Sequence, residues 1–262
     1  MISLEKDLPL IVFSDLDGTL LDHETYSWAA AEPALAALRA QGIPLVLASS
    51  KTALEIAPLR AAMGFSHCPA IVENGAGLLA AGADPQALDD GDYLEIRAAL
   101  TRLDPDLRAQ FQGFGDLDAA GVARLTGLSL EDAASAKARQ FSEPGTFSGD
   151  AEARAAFVSA LTKFGLCATQ GGRFLTLSKG ATKADQIASL TAQLAPHART
   201  MALGDAPNDL AMLMACDIGV IIPNPAHSGL TETAAPHLLR APKAGPEGWA
   251  ISVRAQLAQR SN

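Results

Sequence analysis

The sequence has few cysteines, few basic residues and no long apolar run. Its three cysteines, Cys68, Cys167 and Cys216, are scattered without metal-ligand spacing, so we expect reduced thiols and no disulfide framework. Twenty Lys and Arg against 29 Asp and Glu give a net charge of −9, which argues against nucleic acid or an anionic membrane as partner. No stretch approaches a membrane span and no signal-peptide pattern opens the chain, so we expect a cytoplasmic protein.

The remaining composition is that of an ordinary α/β protein. Hydrophobic residues make up 48% of the 262 positions, charged residues 19% and aromatic residues 5%. This length suffices for one large domain or two modest ones.

Strand and helix patterns alternate along the first part of the chain. Apolar runs at 10–14, 43–48 and 70–72 predict buried strands, and a helix is predicted around 29–41. A second helix starts after Thr52, which forms a capping-box pattern with Glu55. Residues 73–75 predict a turn into a short hairpin. This order is typical of a parallel sheet with right-handed crossovers.

The pattern changes from about residue 83 to residue 179. Loops rich in Asp, Pro and Gly and short helices appear there, and the glycine-rich segment 112–118 is predicted to be mobile. Runs at 166–170 and 173–177 predict a hairpin. Beyond it, Thr182 and Asp185 form a second capping-box pattern, and strands are predicted at 200–204 and 217–222.

We therefore predict an α/β fold, a doubly wound parallel sheet with an inserted α+β cap domain. The predicted boundaries are 1–82 and 180–262 for the two parts of the core and 83–179 for the cap. In open sheets of this kind the ligand lies beyond the carboxyl ends of the strands.

Polar clusters follow four of the predicted strands. They are Asp15-Leu16-Asp17-Gly18-Thr19, Ser49-Ser50-Lys51, Glu73-Asn74 and Gly204-Asp205-Ala206-Pro207-Asn208-Asp209. Aspartates at i and i+2 leave a strand on the same side. Two carboxylates so close require a cation or a shared proton, and a divalent metal at a phosphate-transfer site satisfies this.

These motifs together resemble the haloacid dehalogenase superfamily of phosphatases. The resemblance implies that Asp15 attacks phosphorus, that Asp17 acts as acid and then base, and that Ser49 and Lys183 bind the phosphoryl group. It also implies Mg²⁺ as cofactor. The expected ligands are Asp15, the backbone carbonyl of Asp17, Asp205 and Asp209. Lys179 is an alternative to Lys183.

A finer resemblance is to the mannosyl-3-phosphoglycerate phosphatases. It is carried by Ser49-Ser50-Lys51-Thr52, Glu73-Asn74-Gly75-Ala76, Arg139-Gln140-Phe141-Ser142-Glu143-Pro144, Arg173-Phe174-Leu175-Thr176-Leu177 and Gly245-Pro246-Glu247-Gly248-Trp249. That family releases phosphate from mannosyl-3-phosphoglycerate to give mannosylglycerate, so the implied partner is a small phosphorylated sugar. The candidate substrate-binding residues are Lys51, Glu73, Asn74, Arg139, Glu143, Arg173 and Asn208. Ala184 departs from the family pattern, in which glycine often follows the lysine, and this small change leaves the implied chemistry intact.

Other functions stay open from the sequence alone. The substrate could be glucosyl-3-phosphoglycerate, sucrose phosphate or a hexose phosphate, and a mutase is a weaker alternative because no feature for retaining a bisphosphate intermediate is evident. A non-catalytic sugar-phosphate sensor would be expected to lack Asp15 or Asp17, and both are present. A dinucleotide-binding oxidoreductase is disfavoured because its first loop needs glycines and no anions. The sequence predicts no oligomeric state.

Overall fold

The computed structural model describes residues 8–225, 230 and 235–261. Within these ranges the strands form a seven-stranded sheet and a four-stranded sheet. The strands of the large sheet are β1 (Leu10–Ser14), β2 (Leu45–Ala48), β3 (Ala70–Val72), β4 (Gly77–Leu79), β9 (Arg199–Gly204), β10 (Ile218–Ile221) and β11 (Leu238–Arg240). Those of the small sheet are β5 (Phe111–Gly113), β6 (Ser142–Phe147), β7 (Cys167–Gly171) and β8 (Phe174–Ser178).

The large sheet has the order β11-β10-β9-β1-β2-β3-β4. All neighbours are parallel except β3 and β4, which form the predicted hairpin. Side chains of β1 alternate between two apolar layers, Leu10 and Val12 in one and Ile11 and Phe13 in the other. Both faces are therefore buried, as expected for a parallel sheet whose strands are continuous apolar runs.

Helices cover both faces of this sheet. Those on one face are α1 (Glu32–Ala40), α2 (Ala53–Ala62) and α10 (Gly245–Ser261), and those on the other are α8 (Lys183–Leu194) and α9 (Leu210–Ala215). The doubly wound arrangement predicted from the sequence is confirmed. Among the described helices, none combines the length and apolar character needed to cross a bilayer.

The small sheet belongs to a second unit inserted between β4 and α8, which we call the cap. Its strands are antiparallel in the order β5-β6-β8-β7. Its helices are α3 (Gly91–Thr101), α4 (Pro105–Arg108), α5 (Ala119–Thr126), α6 (Leu130–Lys137) and α7 (Ala151–Thr162). The cap has its own apolar core, which includes Phe111, Phe157 and Leu175. An inserted α+β unit is confirmed, whereas its boundaries at 82/83 and 179/180 stay a prediction.

Two parts of the cap contain structure that the sequence did not predict. The segment 112–118, whose mobility stays a prediction, contains most of β5 and a 3₁₀ turn at Phe114–Asp116. Strand β6, with the sequence SEPGTF, was not predicted because proline and glycine disfavour strands. It forms because β5 and β8 pair with it on both sides, so tertiary contacts outweigh local preference.

Both predicted capping boxes are present. Thr52 Oγ1 accepts the Glu55 N–H at 3.3 Å, and the Glu55 carboxylate accepts the Thr52 N–H at 2.8 Å. Thr182 and Asp185 exchange the equivalent bonds, at 3.4 and 2.9 Å. The capping box formed by Thr182 and Asp185 makes Lys183 the first residue of α8, facing the carboxyl ends of the strands.

Candidate active site

Three aspartates meet at the carboxyl edge of the large sheet. Asp15 follows β1, Asp205 follows the adjacent β9, and Asp209 ends a 3₁₀ turn at Pro207–Asp209. One carboxylate oxygen from each lies within 4.8 Å of the other two, and all three residues are buried. We call Asp15, Asp205 and Asp209 the acidic trio.

Lys183 lies between two members of the trio. Its Nζ is 2.7 Å from Asp15 Oδ1 and 2.8 Å from Asp209 Oδ1, and its side chain is 3% exposed. Burial would lower the pKa of Lys183, but the two carboxylates outweigh it and hold that pKa above its ordinary value. The lysine is therefore charged. Lys179, the alternative from the sequence, instead pairs with Asp92 and Glu95 of the cap at 2.8 and 2.6 Å.

The trio carries more negative charge than one lysine neutralises. Burial and the carboxylate of Asp209 hold the pKa of Asp15 well above its ordinary value, although Lys183 opposes them. A further cation would relieve the repulsion between the three carboxylates and favour the ionised form of Asp15. Buried carboxylate oxygens are the donors that Mg²⁺ prefers, so the residues present fit a divalent metal.

The carboxylates of Asp205 and Asp209 are held by neighbouring donors. Thr19 Oγ1 donates to Asp205 Oδ1 at 2.9 Å, and Asn224 Nδ2 donates to Asp205 Oδ2 at 2.7 Å. Asp209 Oδ2 accepts the N–H groups of Asp205 and Ala206 at 3.2 and 3.1 Å. These contacts fix the orientation of two members of the trio.

Sequence reasoning did not assign roles to Thr19 and Asn224. Thr19 belongs to the first motif, and Asn224 follows β10 as the other candidates follow their strands. A search for polar residues that follow each predicted strand could therefore have found both. A side chain at Gly18 has no room, because an added Cβ would be 2.3 Å from Asn224 Nδ2, and its φ of +78° favours glycine.

Asp17 lies outside the trio and faces Lys51. Its Oδ2 is 3.0 Å from Lys51 Nζ, and its side chain is 37% exposed. Burial lowers the pKa of Lys51, but the carboxylates of Asp17 and Glu55 outweigh it and raise that pKa. Asp15 and Asp17 therefore have different surroundings: Asp15 belongs to the trio, whereas Asp17 Oδ2 pairs with Lys51 and Asp17 Oδ1 is buried without a hydrogen-bond partner among the described residues. The role of the Asp17 carbonyl as a metal ligand stays a prediction.

Ser49 completes the strand-end cluster. It is fully buried directly after β2, and its Oγ accepts the Lys51 N–H at 3.3 Å. The hydroxyl hydrogen remains to donate to a ligand.

A cleft of about 330 Å³ lies between the sheet edge and the cap. Five of the predicted substrate residues line it, namely Lys51, Asn74, Arg139, Arg173 and Asn208. Apolar wall residues include Tyr26, Phe114 and Phe174. A second cavity of about 320 Å³ shares Asn74 and Asn208 with the cleft and reaches Lys183. The second cavity thus brings the neighbourhood of the cleft to Lys183, which contacts Asp15 and Asp209 of the trio.

The two cleft arginines have different surroundings. Arg139 is only 9% exposed; its Nη1 donates to Ser50 O at 2.9 Å, while its Nε is buried without a hydrogen-bond partner among the described residues. Arg173 is exposed and donates to Thr126 O at 3.1 Å. Each guanidinium retains donors that a ligand in the cleft could use.

The two predicted glutamates have contacts that differ from those predicted. The Glu73 carboxylate accepts hydrogen bonds from cap residues 140–142, although the side chain borders the second cavity. Glu143 Oε1 accepts hydrogen bonds from Arg97 and from the Gly115 N–H within the cap, at 2.7 and 2.9 Å. Burial raises the pKa of Glu143. Protein donors therefore occupy both oxygens of Glu73 and Oε1 of Glu143, and the roles of these two residues in substrate binding stay predictions.

Comparison with solved structures shows the same fold in several proteins. Protein 0175 of Thermoplasma acidophilum has a TM-score of 0.66 at 14% identity, with 95% of this chain and 98% of that chain covered. A phosphatase of the haloalkanoate superfamily from Bacteroides thetaiotaomicron has a TM-score of 0.64 at 19% identity, with 100% and 98% covered. The sucrose-phosphatase of Synechocystis, solved with sucrose and phosphate, has a TM-score of 0.61 at 16% identity, with 97% and 98% covered.

The sequence itself matches a family profile over more than half of its length. The matched segments are residues 12–86 and 148–237, which contain the acidic trio and Lys183. The chain belongs to the haloacid dehalogenase-like hydrolases.

Proposed function

We propose that this protein is a Mg²⁺-dependent phosphatase that hydrolyses a phosphorylated sugar derivative through an aspartyl-phosphate intermediate. The substrate proposed is mannosyl-3-phosphoglycerate, which would yield mannosylglycerate. The observation that carries the proposal is the position of Lys183 between Asp15 and Asp209, in the wall of a cavity that shares Asn74 and Asn208 with the cleft.

Asp15 is the proposed nucleophile. Its carboxylate attacks the phosphorus in line and forms the aspartyl-phosphate, which water later hydrolyses. Lys183, 2.7 Å from Asp15 Oδ1, lies where it can stabilise negative charge on the transferring phosphoryl group. The hydroxyl of Ser49 donates a hydrogen bond to the same group.

Asp17 is the proposed acid and base. Its Oδ2 contacts Lys51, which lines the cleft where the leaving alkoxide of the substrate would be, whereas Asp15 is buried. In the first half-reaction Asp17 must be protonated; it donates this proton to the leaving oxygen and becomes a carboxylate, which in the second half-reaction takes a proton from the attacking water. Lys51 holds this carboxylate in place at 3.0 Å.

The proposed metal ligands are Asp15, the backbone carbonyl of Asp17, Asp205 and Asp209. When bound, Mg²⁺ would supply positive charge against the phosphoryl oxygens. Thr19 and Asn224 hold the carboxylate of Asp205 in a fixed orientation, so less ordering is required when the metal binds.

The cleft supports an anionic sugar derivative as substrate. Lys51, Arg139 and Arg173 supply positive charge against a net charge of −9, and the amides of Asn74 and Asn208 can bind hydroxyl groups. Asn74 Oδ1 is buried without a hydrogen-bond partner among the described residues, so a sugar hydroxyl could donate to it.

A phosphate-release screen tests the proposal. Purified protein is assayed with Mg²⁺ against mannosyl-3-phosphoglycerate, glucosyl-3-phosphoglycerate, sucrose phosphate and hexose phosphates. We expect the highest kcat/KM with mannosyl-3-phosphoglycerate and no need for a bisphosphate activator. A preference for sucrose phosphate would reassign the substrate, and binding without turnover of any ester would indicate a sensor.

A further inference from the structure

Glu73 is a buried anion of the core whose hydrogen-bonding partners belong to the cap. Its side chain follows β3 and is inaccessible to solvent. Oε1 accepts the Gln140 N–H at 2.9 Å; Oε2 accepts the Phe141 N–H at 3.2 Å and the Ser142 hydroxyl at 2.6 Å. A buried carboxylate needs such donors, so separating the cap from Glu73 would leave an uncompensated charge.

Further contacts surround this one. Arg139 Nη1 is 3.8 Å from Glu73 Oε2 and donates to Ser50 O, and Thr52 Oγ1 donates to Ser135 O at 2.9 Å. The ring of Phe141 packs against Gly77, where an added Cβ would be 2.1 Å from a ring carbon. Residues 139–142 of the cap are therefore attached to the core beside its two chain connections, since Gln140 Nε2 donates to Pro85 O at 3.0 Å and Ser142 pairs with Ser178 at the end of β8.

The backbone at Glu73 and Asn74 is left-handed and is held there by the surrounding structure. Glu73 and Asn74 have φ of 51° and 60°, a left-handed conformation that costs a residue with a side chain roughly 1–2 kcal/mol. The Glu73 N–H donates to Lys51 O at 2.9 Å, and the Asn74 N–H donates to Ser49 O at 2.8 Å. The turn is thereby tied to the loop that carries Ser49.

The same turn also contacts the helix that carries Lys183. Gly75 packs so closely that a Cβ there would be 2.0 Å from the carbonyl carbon of Thr182. Gln186 of α8 donates to Gly75 O at 2.9 Å. One short turn thus joins the Ser49 loop, the start of α8 and the cap.

We infer that Glu73 is a positioning residue that fixes cap residues 139–142 against the active site and so sets the affinity for substrates that contact the cap. This inference rests on the proposed function and deepens it. With this point fixed, Arg139 stays over the cleft before substrate arrives. Substrate binding then does not carry the entropic cost of ordering the Arg139 side chain.

The test compares a substrate that fills the cleft with one that does not. In Glu73→Gln the side-chain shape is kept, but an NH₂ group replaces an acceptor that faces N–H or O–H donors. We expect KM for mannosyl-3-phosphoglycerate to rise at least tenfold. For p-nitrophenyl phosphate, a small ester without groups for the cap, we expect kcat/KM within about twofold of wild type. Ser142→Ala, which removes one of the three bonds, should give a smaller rise in the same KM.

Hydrogen exchange supplies a readout that does not depend on activity. The amides of residues 140 and 141 should exchange faster in Glu73→Gln than in wild type, whereas amides of the cap core should not. Asp116→Asn is the matched control, because the partners of Asp116 are Arg97, Arg108 and Gly113 within the cap. It should leave both KM values and the exchange at 140–141 unchanged.

Two results would overturn the inference. One is an equal loss of activity toward both esters, which would make Glu73 part of the chemistry or of general folding. The other is unchanged KM and unchanged exchange in a folded Glu73→Gln or Ser142→Ala protein. If wild type hydrolyses neither ester with Mg²⁺, the proposed function fails, while the exchange experiment still tests whether Glu73 holds the cap.

Discussion

Trp249 Nε1 donates a hydrogen bond of 2.9 Å to Ser14 Oγ, and both residues are fully buried. Ser14 is the last residue of β1 and precedes Asp15, while Trp249 lies in the C-terminal helix α10. Ser14 Oγ in turn donates to Asp15 O at 2.7 Å. The end of the chain thus supports the strand from which the proposed nucleophile extends.

Replacement of Trp249 should destabilise the protein. Trp249→Phe removes the indole donor and leaves a small cavity, and we expect the free energy of unfolding to fall by about 1–3 kcal/mol. Denaturant titration measures this. The same change at the half-buried Trp28 is the control and should cost less. An equal loss at both positions would show that the bond to Ser14 has no special weight.

Lys183 and Lys179 can be separated by one pair of variants. Lys183→Met removes the buried cation between Asp15 and Asp209, and we expect kcat for phosphate release to fall by roughly 10²–10³-fold. Lys179→Met removes an exposed cation that pairs with Asp92 and Glu95, and should leave kcat near wild type. Steady-state kinetics of phosphate release give kcat for both variants. A larger loss in Lys179→Met would reverse the assignment.

Asp15 should be essential for turnover and dispensable for the fold. Asp15→Asn keeps the shape of the side chain but removes the nucleophilic oxygen, and phosphate release should become undetectable. Circular dichroism and the melting temperature should remain close to wild type. Retained phosphate release in this variant would exclude the aspartyl-phosphate route.

Metal binding should stabilise the native protein. The acidic trio exists only in the fold, so Mg²⁺ at 100 times its Kd should add about 2.7 kcal/mol to the free energy of unfolding. A thermal shift on adding Mg²⁺ to protein treated with a chelator measures this, together with the return of activity. Asp205→Asn should abolish the shift, and Asn224→Ala should weaken it. An undiminished shift in Asp205→Asn would place the metal elsewhere.

The core could be predicted from the sequence because local signals and tertiary structure agree there. Apolar runs such as 10–14 are buried on both sides, and the capping pairs at Thr52 and Thr182 mark helix starts that the structure keeps. The meeting of Asp15 and Asp205 follows from topology, since β1 and β9 are adjacent and parallel. Distant motifs converge because of the sheet order.

The cap could be predicted only in part. The hairpin of β7 and β8 was expected within one residue, but β6 owes its conformation to its neighbours rather than to its own residues. The contacts of Glu73 and Glu143 also depend on tertiary structure. The sequence places a carboxylate near the cleft, whereas only the arrangement of the cap decides which donors reach it.

Asp116 gives a prediction for pH dependence. Burial alone would raise the pKa of Asp116, but hydrogen bonds from Arg108, Arg97 and the Gly113 N–H outweigh it and lower that pKa. A carboxylate with a lowered pKa in the folded state stabilises the protein above its unfolded pKa of about 3.9. This stabilisation is lost as pH falls through the lower pKa of the folded state.

Wild type and Asp116→Asn should therefore differ in a pH-dependent way. Urea denaturation between pH 3 and pH 7 should show wild type as the more stable protein, with a constant difference above about pH 5. Below about pH 4 the difference should shrink, because the wild-type carboxylate becomes protonated while the amide does not titrate. The ionic character of the contacts with Arg97 and Arg108 can be checked in high salt, which should reduce the difference at pH 7. A difference that grows as the pH falls would contradict the lowered pKa, because it would mean that the folded protein binds the proton more tightly than the unfolded chain.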